Sequence, residues 1–472
     1  MSELVVVSNR GPATFAVGAD GALVARHAAG GLAPSLVHAL AGTNALWIAT
    51  AMGDADRRAA REGVAAALAG GTELRLVELA PEVQRAAYRV VANGTLWFAY
   101  HGLFDRVRQP VFDRAWYEAW DGYREYNRTL AGEVARCADE GATVVVNDYH
   151  LALVGSYLAA ERPDLRTVHF HHTPFCDAHE LRVLPDAVAR ELVGGLAAFG
   201  ACGFHTERWA GHFRSCAASI GVEAPEVFAS ALGTDADDLR AVASSPGCAA
   251  RRSDLLERLD GRALLFRSDR VEPSKNILRG FLAFEELLDT VPRFRGSVTF
   301  IARAYPSREE MPEYRAYRED VERLVERVNE RFATADHVPI VLEVADDFVA
   351  SVAALCSYDV LLVNPVRDGM NLVAKEGPVA NRHAGVLALS REAGAFAELG
   401  THALAVQPFD VSGTAAALGR ALEMPVAERR ERAAALAAVA GSRPPARWFA
   451  EVVRAARTSR RRGGDASAVA RH

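Results

Sequence analysis

The sequence predicts an α/β protein with two doubly wound parallel sheets. Its 472 residues exceed what one ordinary core holds, and domain-size statistics suggest roughly two or three domains. Short apolar or β-branched runs recur along the chain with helical patterns between them, an alternation typical of parallel sheets covered by helices. Polar residues cluster where several of these runs end, and doubly wound sheets bind ligands at that position.

Eight runs carry the strand prediction. They are LVVVS at 4–8, ATVVVN at 142–147, TVHFH at 167–171, ALLF at 263–266, SVTFIA at 297–302, PIVLEV at 339–344, DVLLVN at 359–364 and GVLALS at 385–390. Three of these runs fall in the first half of the chain and five in the second, so we expect a separate sheet in each half.

The segment 234–262 is polar and contains the turn signal Ser-Ser-Pro-Gly, so we place the passage between two domains there. We expect an N-terminal Rossmann-like domain over 1–235 and a C-terminal Rossmann-like domain over 236–445. Residues 446–457, which contain RWFAEVVRAAR, predict a helix with enough apolar surface to pack back on the first domain. Residues 458–472 have few large apolar side chains, which predicts a disordered tail.

Composition excludes several classes of protein. Half of the residues are apolar, which is typical of a globular protein. The net charge of −6 gives no support for binding duplex nucleic acid. No window approaches the ~18 uncharged residues of a membrane span, and the N-terminus has no leader pattern, so we expect a cytoplasmic protein without membrane partners. Six cysteines without a C-x-x-C pair predict buried thiols. Self-association is left open.

Metal binding is not favoured. The acidic strings DAD at 54–56 and DADD at 235–238 are typical of helix starts, where acids stabilise the helix dipole. His171 and His172 are adjacent, so in a strand they would face opposite sides and could not hold one metal together. We expect no metal and no cofactor.

Polar clusters follow five predicted strands or helix entries, and we expect them to meet in one cleft between the two domains. The clusters are SNRG at 8–11, NDYH at 147–150, HHTPF at 171–175, RSDRVEPSKN at 267–276 and RDGMN at 367–371. Gly30 and Gly31 precede a predicted helix and either admit a phosphate or form a plain helix-entry turn. The dinucleotide fingerprint G-x-G-x-x-G and a Walker lysine are both absent.

Two clusters suit a ligand that carries a diphosphate and a ribose. Arg270 and Lys275 are cations five residues apart that would neutralise a departing diphosphate, although a solvated basic turn is the alternative. In RDGMNLVAKE, Gly369 permits a positive φ and Asn371 is expected to cap the following helix. Glu376 lies about a turn and a half inside that helix, where a carboxylate can accept hydrogen bonds from a ribose diol.

Together these motifs resemble the trehalose-6-phosphate synthases, retaining glucosyltransferases of the GT-B fold, over nearly the whole chain. The matching segments, in family order, are SNR, GGL, LWFAYH, NDYHL, HFHHTPF, RVEPSKN, YPSR, RDGMNLVAKE and LSREAGA. The resemblance implies transfer of glucose from a nucleoside-diphosphate-glucose to glucose 6-phosphate, giving α,α-trehalose 6-phosphate by a front-face mechanism. UDP-glucose is the usual family donor, but RVEPSKN is closer to members that accept GDP-glucose, which leaves both open with a small preference for GDP-glucose.

The resemblance also implies roles for individual residues. The implied donor-binding residues are Gly31, His172, Arg270, Lys275, Asp368, Gly369, Met370, Asn371, Leu372 and Glu376. The implied acceptor-binding residues are Arg10, Tyr88, Trp97, Asp148 and Arg308. The implied catalytic set is Arg270, Lys275, His172, Asp148 and Asp368.

The chain departs from the family pattern at two places. The diphosphate turn has Glu272, Pro273 and Asn276 where many members have aspartate, an aromatic residue and glycine. Thr50 stands where the family has an acceptor-site tryptophan, which leaves the acceptor open. The alternatives are a pseudo-glycosyltransferase or glucosylglycerol-phosphate synthase with another phosphorylated acceptor and, more remotely, a non-catalytic sensor of sugar phosphates.

Overall fold

The structure is a computed structural model that describes residues 2–18, 20–27, 36–37, 39–40, 42–68 and 71–459. Within these ranges the chain forms two compact units. Unit 1 contains the residues up to Leu232 together with those from Pro445 onward, and unit 2 contains Gly233–Pro444. Gly31 and residues 460–472 of the predicted tail lie outside the described residues.

Unit 1 is built on an eight-stranded sheet with the strand order β10-β9-β8-β7-β1-β4-β6-β5. All neighbours are parallel except β5 and β6, and β2 pairs with β3 in a separate antiparallel hairpin. The strands are β1 (Ser2–Ser8), β2 (Ala13–Val17), β3 (Leu23–His27), β4 (Leu46–Thr50), β5 (Ala66–Ala67), β6 (Glu73–Val77), β7 (Ala138–Asn147), β8 (Arg166–His171), β9 (Ala201–Phe204) and β10 (Glu226–Ala229).

Helices connect the parallel strands of unit 1. The longest, α4, is capped by Asp113, whose carboxylate accepts from the amide of Trp116, and it buries an aromatic stripe that includes Trp120 and Tyr123. The described helices are α1 (Asp54–Glu62), α2 (Pro81–Arg85), a π-helix (Ala86–Leu96), α3 (Trp97–His101), α4 (Arg114–Cys137), a 3₁₀ turn (Tyr149–Leu151), α5 (Val154–Glu161), α6 (Ala178–Leu181), α7 (Asp186–Ala197) and α8 (Glu207–Ser219).

Unit 2 is built on a fully parallel six-stranded sheet with the order β13-β12-β11-β14-β15-β16. Its strands are β11 (Ala263–Arg270), β12 (Val298–Tyr305), β13 (Ile340–Val344), β14 (Val360–Val363), β15 (Val386–Ser390) and β16 (Leu404–Val406). Each of the eight runs predicted as strands overlaps a strand of unit 1 or unit 2, so those predictions are confirmed.

The helices of unit 2 connect the strands of this sheet, and a hydrophobic core between helices and sheet contains Phe281, Phe284 and Phe300. They are α9 (Ala236–Ala243), α10 (Pro246–Leu259), a 3₁₀ turn (Pro273–Lys275), α11 (Ile277–Thr290), a 3₁₀ turn (Pro292–Phe294), α12 (Pro312–Phe332), α13 (Phe348–Leu355), α14 (Val373–Ala380), α15 (Phe396–Leu399), α16 (Val411–Leu422) and α17 (Val426–Gly441).

The segment predicted as an inter-domain passage, 234–262, contains two helices of unit 2. Asp235 caps α9 by accepting from the amide of Asp238, which confirms the helix start predicted from DADD. Ser245 caps α10 with Pro246 in its first turn, so the Ser-Ser-Pro-Gly signal marks a break between helices. The polarity of the segment reflects the exposed faces of these two helices.

The last described helix, α18 (Pro445–Thr458), packs on the sheet of unit 1. Trp448 is completely buried, and its ring meets that of Phe170 on β8 edge to face, with centroids 4.8 Å apart. Ser230, which follows β10, donates to Glu451 of this helix at 2.7 Å. An apolar stripe of α18 therefore completes the core of unit 1.

Two further expectations concern the remaining polar and sulfur groups. All six cysteines are buried and none forms a disulfide. Asp56 of the first acidic string is buried in α1 and accepts from the amides of Phe15, Met52 and Gly53, so it serves a helix start.

Among the helices of the described ranges, none combines the length and apolar character needed to cross a membrane.

Candidate active site

In unit 2, three loops meet at the carboxyl ends of the adjacent strands β11, β14 and β15. The amide of Val366 donates to the carbonyl of Ser274 at 2.8 Å, which ties the second loop to the first. The amide of Gly394 donates to the carbonyl of Asp368 at 3.1 Å, which ties the third loop to the second. A Cβ at position 394 would lie 1.9 Å from the carbonyl oxygen of Gly369, so only glycine permits this approach.

Lys275 and Asp368, predicted from separate motifs, form an ion pair at the centre of these loops. The Nζ atom of Lys275 lies 2.5 Å from Oδ2 of Asp368, and the side-chain amide of Asn371 donates to the same oxygen at 3.1 Å. Burial alone would lower the pKa of Lys275, but the negative charges of Asp368 and Asp269 outweigh it and raise that pKa. The lysine is therefore held as a cation beside the loop 368–372.

Lysine is rare in this chain, which has two lysines against 52 arginines. The two are Lys275 and Lys375, and Lys375 is buried in α14, where it pairs with Glu398 at 2.5 Å. A lysine ammonium is a compact point charge, whereas arginine presents a planar fork, so the two residues serve different geometries. The candidate site thus contains one of only two lysines in a chain whose other cationic side chains are arginines.

The second predicted diphosphate ligand, Arg270, is organised by Glu272. The Glu272 carboxylate is 1% exposed; it forms an ion pair with Arg270, whose Nε lies 3.2 Å from Oε1, and accepts from the hydroxyl of Ser307 at 2.8 Å. Burial would raise the pKa of Glu272, but Arg270, Arg308 and Lys275 together lower it to about 2. The Arg270 side chain remains 56% exposed, so its guanidinium is accessible to a ligand.

Arg308, predicted to bind the acceptor, lies in unit 2 beside the same carboxylate. Its Nη1 is 3.7 Å from Glu272 Oε1, and its guanidinium contacts the hydroxyl of Tyr314. The backbone of Arg308 has φ 45°, a left-handed conformation that is uncommon for a side chain of this size. Glu272 therefore joins Arg270 and Arg308 into one cationic group.

The loop before α14 contains one residue in a left-handed conformation. Asn371 has φ 76°, a region that asparagine tolerates better than most residues. The side-chain oxygen of Asn371 accepts from the amide of Ala374 at 3.1 Å, so the predicted capping role is confirmed. Met370 is buried with its carbonyl bonded to the amide of Ala395, and Leu372 is half-buried.

Glu376 lies in the first turns of α14 with a half-buried side chain. Among the residues that the structure describes, none makes a hydrogen bond or ion pair with its carboxylate. Burial without a compensating partner raises the pKa of Glu376 to about 7. Such a carboxylate is prepared to accept hydrogen bonds from a ligand.

In unit 1, the predicted residue Asp148 directly follows β7 and has a strained backbone conformation, with φ 72° and ψ 166°. This region is essentially restricted to glycine and costs on the order of 1–3 kcal/mol. Strand β8 holds it in place: the amide of Asp148 donates to the carbonyl of Phe170 at 2.8 Å, and its Oδ1 accepts from the amide of His172 at 3.2 Å. The ring of His169 lies 3.1 Å from the Asp148 carbonyl.

His172 takes part in a directional chain of hydrogen bonds. Its Nε2 lies 3.0 Å from the amide oxygen of Asn147, and its Nδ1 lies 3.3 Å from Nε2 of His205. The amide of Leu232 donates to Nδ1 of His205, and the side-chain nitrogen of Asn147 donates to the carbonyl of Val7. These partners assign each ring one N–H, and burial with the neighbouring histidines lowers the pKa of His172 well below 6.5.

His171 has a different environment from its neighbour. It is completely buried and its ring packs against Tyr100 and Phe175 at 4.7 and 5.1 Å between centroids. His171 is therefore a core histidine, while His172 lies at the strand end. The two side chains have different surroundings because adjacent residues in extended backbone point in opposite directions.

Three predicted acceptor residues of unit 1 differ in exposure. Arg10 is exposed and donates to the hydroxyl of Tyr88 at 3.0 Å, and the ring of Tyr88 stacks on His150 with centroids 5.7 Å apart. Trp97 is only 2% exposed and its ring lies 4.3 Å from that of His101. Arg10 and Tyr88 thus form one group at the surface, whereas Trp97 belongs to the core beneath it.

Thr50 is the last residue of β4 and is 1% exposed. Its hydroxyl lies 2.8 Å from that of Tyr126 on α4, and the Tyr126 hydroxyl donates to the side-chain oxygen of Asn9 at 2.7 Å. Thr50 and Asn9 end adjacent strands, and Tyr126 connects them. The position that departs from the family pattern is therefore part of a buried hydrogen-bonded network.

We expect Tyr126→Phe to lower the free energy of unfolding by about 1–3 kcal/mol, because it leaves the buried Asn9 oxygen without its donor. Urea unfolding measures this. Tyr117→Phe on the exposed face of the same helix is the matched control and should change stability by less than about 0.5 kcal/mol. Equal stability of Tyr126→Phe and wild type would contradict this account of the network.

The structure adds four residues that were not selected as site residues from the sequence: Asn147, His205, Glu272 and Tyr126. Asn147 and Glu272 stand within quoted motifs that follow predicted strands, so a search for polar residues there would have found both. His205 directly follows β9, a strand that was not predicted, so that search would have missed it. Tyr126 lies in the middle of a helix and gives no local signal, because its role depends on tertiary contacts.

Two parallel-sheet α/β units with charged loops at their strand ends define the class of protein, a glycosyltransferase of the GT-B fold. The chain belongs to glycosyltransferase family 20, whose family model matches residues 2–458. The resemblance predicted from the motifs is therefore confirmed at the level of the family.

Curated relatives agree with this assignment. The chain is 31% identical to a bifunctional trehalose-6-phosphate synthase/phosphatase of Thermoproteus tenax over 95% of its own length, but it spans only 63% of that protein. It is 33% identical to a trehalose-6-phosphate synthase of Mycobacterium sp. (strain JLS), with 92% of each chain covered.

Solved structures are similar over nearly the whole chain. An E. coli trehalose-6-phosphate structure bound with UDP-2-fluoro glucose superposes with a TM-score of 0.83 at 28% identity, covering 95% of this chain and 98% of the other. A UDP-forming α,α-trehalose-phosphate synthase from Burkholderia xenovorans in complex with glucose-6-phosphate gives a TM-score of 0.83 at 29% identity, covering 96% and 99%.

Proposed function

We propose that this chain is a retaining glucosyltransferase that moves glucose from a nucleoside-diphosphate-glucose to glucose 6-phosphate and forms α,α-trehalose 6-phosphate. The observation that carries the proposal is the Lys275–Asp368 pair, which holds a cation beside the loop assigned to the donor sugar. Relatives named for this activity, and neighbours solved with a UDP-glucose analogue and with glucose-6-phosphate, support it.

The donor site in this proposal draws mainly on unit 2. Arg270 and Lys275 neutralise the diphosphate, loop 368–372 holds the sugar, and Glu376 accepts hydrogen bonds from the ribose diol. The family resemblance assigns His172 to the donor sugar as well. No metal or cofactor is needed, because two cations supplied by the protein balance the charge that develops on the diphosphate.

The acceptor site in this proposal uses cations for the phosphate of glucose 6-phosphate. Arg10, with Tyr88 beside it, and Arg308 supply positive charge, and Asp148 contacts the acceptor sugar near the reacting hydroxyl. The strained backbone of Asp148 fits this role, since strained residues concentrate at functional sites.

The proposed chemical step is a front-face substitution. The bond between the donor anomeric carbon and the diphosphate oxygen breaks, and the acceptor oxygen forms its bond to the same face of that carbon. The acceptor hydroxyl proton passes to the departing diphosphate, so no general base on the protein is required. Arg270 and Lys275 then stabilise the charge that develops on the leaving group, which is where electrostatic catalysis is most effective.

The test is an assay of nucleoside diphosphate release by purified protein. Glucose 6-phosphate is offered with an equal mixture of UDP-glucose and GDP-glucose, and the nucleoside diphosphate formed identifies the preferred base. Glycerol 3-phosphate and unphosphorylated glucose are the control acceptors. Release that depends on glycerol 3-phosphate instead of glucose 6-phosphate would overturn the acceptor assignment.

Donor affinity should depend on pH through Glu376. Ribose hydroxyls donate to the ionised carboxylate, so binding favours the deprotonated form, and a free-state pKa of about 7 predicts affinity about tenfold weaker at pH 6 than at pH 8. Calorimetric titration with nucleoside diphosphate measures this, and Glu376→Gln should bind weakly and without that pH dependence. A wild-type affinity that is flat from pH 6 to 8 would contradict the role of Glu376.

A further inference from the structure

A buried ion pair lies directly beneath the Lys275 turn in unit 2. Arg267 and Asp269 are two residues apart on β11, and the carboxylate oxygen Oδ2 of Asp269 accepts from Nε and Nη2 of Arg267 at 3.0 and 2.8 Å. The Arg267 side chain is 1% exposed. Neither residue belongs to the donor or acceptor set described above, so their charges need another explanation.

Arg267 connects this pair to the turn. Its Nη2 also donates to the carbonyl oxygen of Lys275 at 2.9 Å, and the carboxylate of Asp269 acts on the same lysine electrostatically. Asn276, which follows, has φ 58°, so the chain changes direction immediately after the carbonyl that Arg267 holds. The position of the Lys275 backbone is therefore fixed from inside the unit.

Gly280 provides the space for this arrangement. It lies in α11, and a Cβ at that position would be 2.5 Å from Nη1 of Arg267. A methyl group there must displace the guanidinium, although alanine itself is a better helix residue than glycine. Gly280 is therefore a position where one added carbon tests the function of Arg267 without removing any charge.

We propose that Arg267 and Asp269 are positioning residues that hold Lys275 in place against Asp368 and the donor diphosphate. The proposal deepens the function given above and rests on it for the identity of the ligand. A buried charged pair is a weak source of stability, because desolvation offsets most of the attraction between its members. Its value here is that a guanidinium has enough donors to bind both the Asp269 carboxylate and the Lys275 carbonyl.

The first test is Gly280→Ala with two readouts. Because the chain has only two lysines, brief labelling with acetic anhydride followed by mass spectrometry reports the reactivity of Lys275, with Lys375 as the internal reference. We expect Lys275 to react several-fold faster in the variant while Lys375 is unchanged. Calorimetric binding of UDP and GDP should weaken about tenfold, since small displacements of a binding group have large effects.

The control is Gly211→Ala in α8 of unit 1, where an added Cβ meets no atom within 4 Å. It should leave lysine reactivity and nucleotide binding as in wild type. In a Lys275→Ala background, Gly280→Ala should have no further effect on nucleotide binding, because a residue that acts through Lys275 cannot act once it is removed.

A second variant addresses folding. Arg267→Met combined with Asp269→Leu removes both charges at once and so avoids an unpaired buried ion. We expect it to fold and to show the same increase in Lys275 labelling and weaker nucleotide binding. Unchanged Lys275 reactivity and nucleotide binding in both this variant and Gly280→Ala would overturn the proposal. If labelling changes as expected but wild type binds neither UDP nor GDP, the proposed function fails while the positioning of Lys275 stands.

Discussion

Lys275→Ala should reduce glucosyl transfer about 10²- to 10³-fold or more, the range observed when one preorganised group that stabilises developing charge is removed. The lysine is the cation that directly faces Asp368, and no other lysine except Lys375 exists in the chain to replace it. Steady-state rates with saturating donor and acceptor measure the loss, and circular dichroism establishes that the variant is folded.

The matched changes separate charge from geometry. Lys275→Arg keeps the positive charge but replaces a compact ammonium by a planar fork, so we expect it to recover only a small part of the activity. Arg293→Ala removes an exposed cation of the same unit that pairs with Glu423, and it should have wild-type activity. A Lys275→Ala protein with more than about a tenth of wild-type activity would contradict the assignment.

Asp148→Gly should abolish most transfer while keeping stability within about 1 kcal/mol of wild type, because relief of backbone strain offsets the lost hydrogen bond from the amide of His172. Glycine adopts φ 72° and ψ 166° without strain, so the substitution releases on the order of 1 kcal/mol, while the loss of the carboxylate removes the contact to the acceptor. We expect kcat/KM for glucose 6-phosphate to fall about 10²-fold or more, with nucleoside diphosphate binding unchanged. Thermal unfolding and initial rates provide the two measurements.

Asp260→Gly is the control for this change. Asp260 also has positive φ, at 48°, but it is an exposed residue that ends α10. Glycine there should preserve both activity and stability. If Asp148→Gly instead unfolds the protein, or retains its activity, Asp148 is not an acceptor residue held under strain.

The strands that the sequence predicted are those whose own side chains are strongly apolar or β-branched. The runs at 4–8, 142–147 and 359–364 are of this kind, and all three form central strands. Strand β9, with the sequence ACGF, was not predicted, because small residues carry little strand preference. Its Gly203 is required by tertiary packing: a Cβ there would lie 2.5 Å from the rings of Phe170 and Phe228.

The candidate site likewise has features that follow from local sequence and features that depend on tertiary packing. Charged residues in the segments that follow predicted strands, such as Lys275 and Asp368, were accessible from the sequence because parallel strand ends converge. The buried position of Glu272 between Arg270 and Arg308 could not be predicted from the sequence, because it depends on where separate loops meet. The positive φ of Asn371 likewise follows from how the loop packs, which residue type alone does not determine.

The most direct test of the central claim is proton NMR of the product formed from a nucleoside-diphosphate-glucose and glucose 6-phosphate. The account predicts one nucleoside diphosphate released for each α,α-trehalose 6-phosphate formed, with the α configuration of the donor glucosyl unit retained in the product. A product with a β-configured glucosyl unit, or no release of nucleoside diphosphate when glucose 6-phosphate is added, would contradict it.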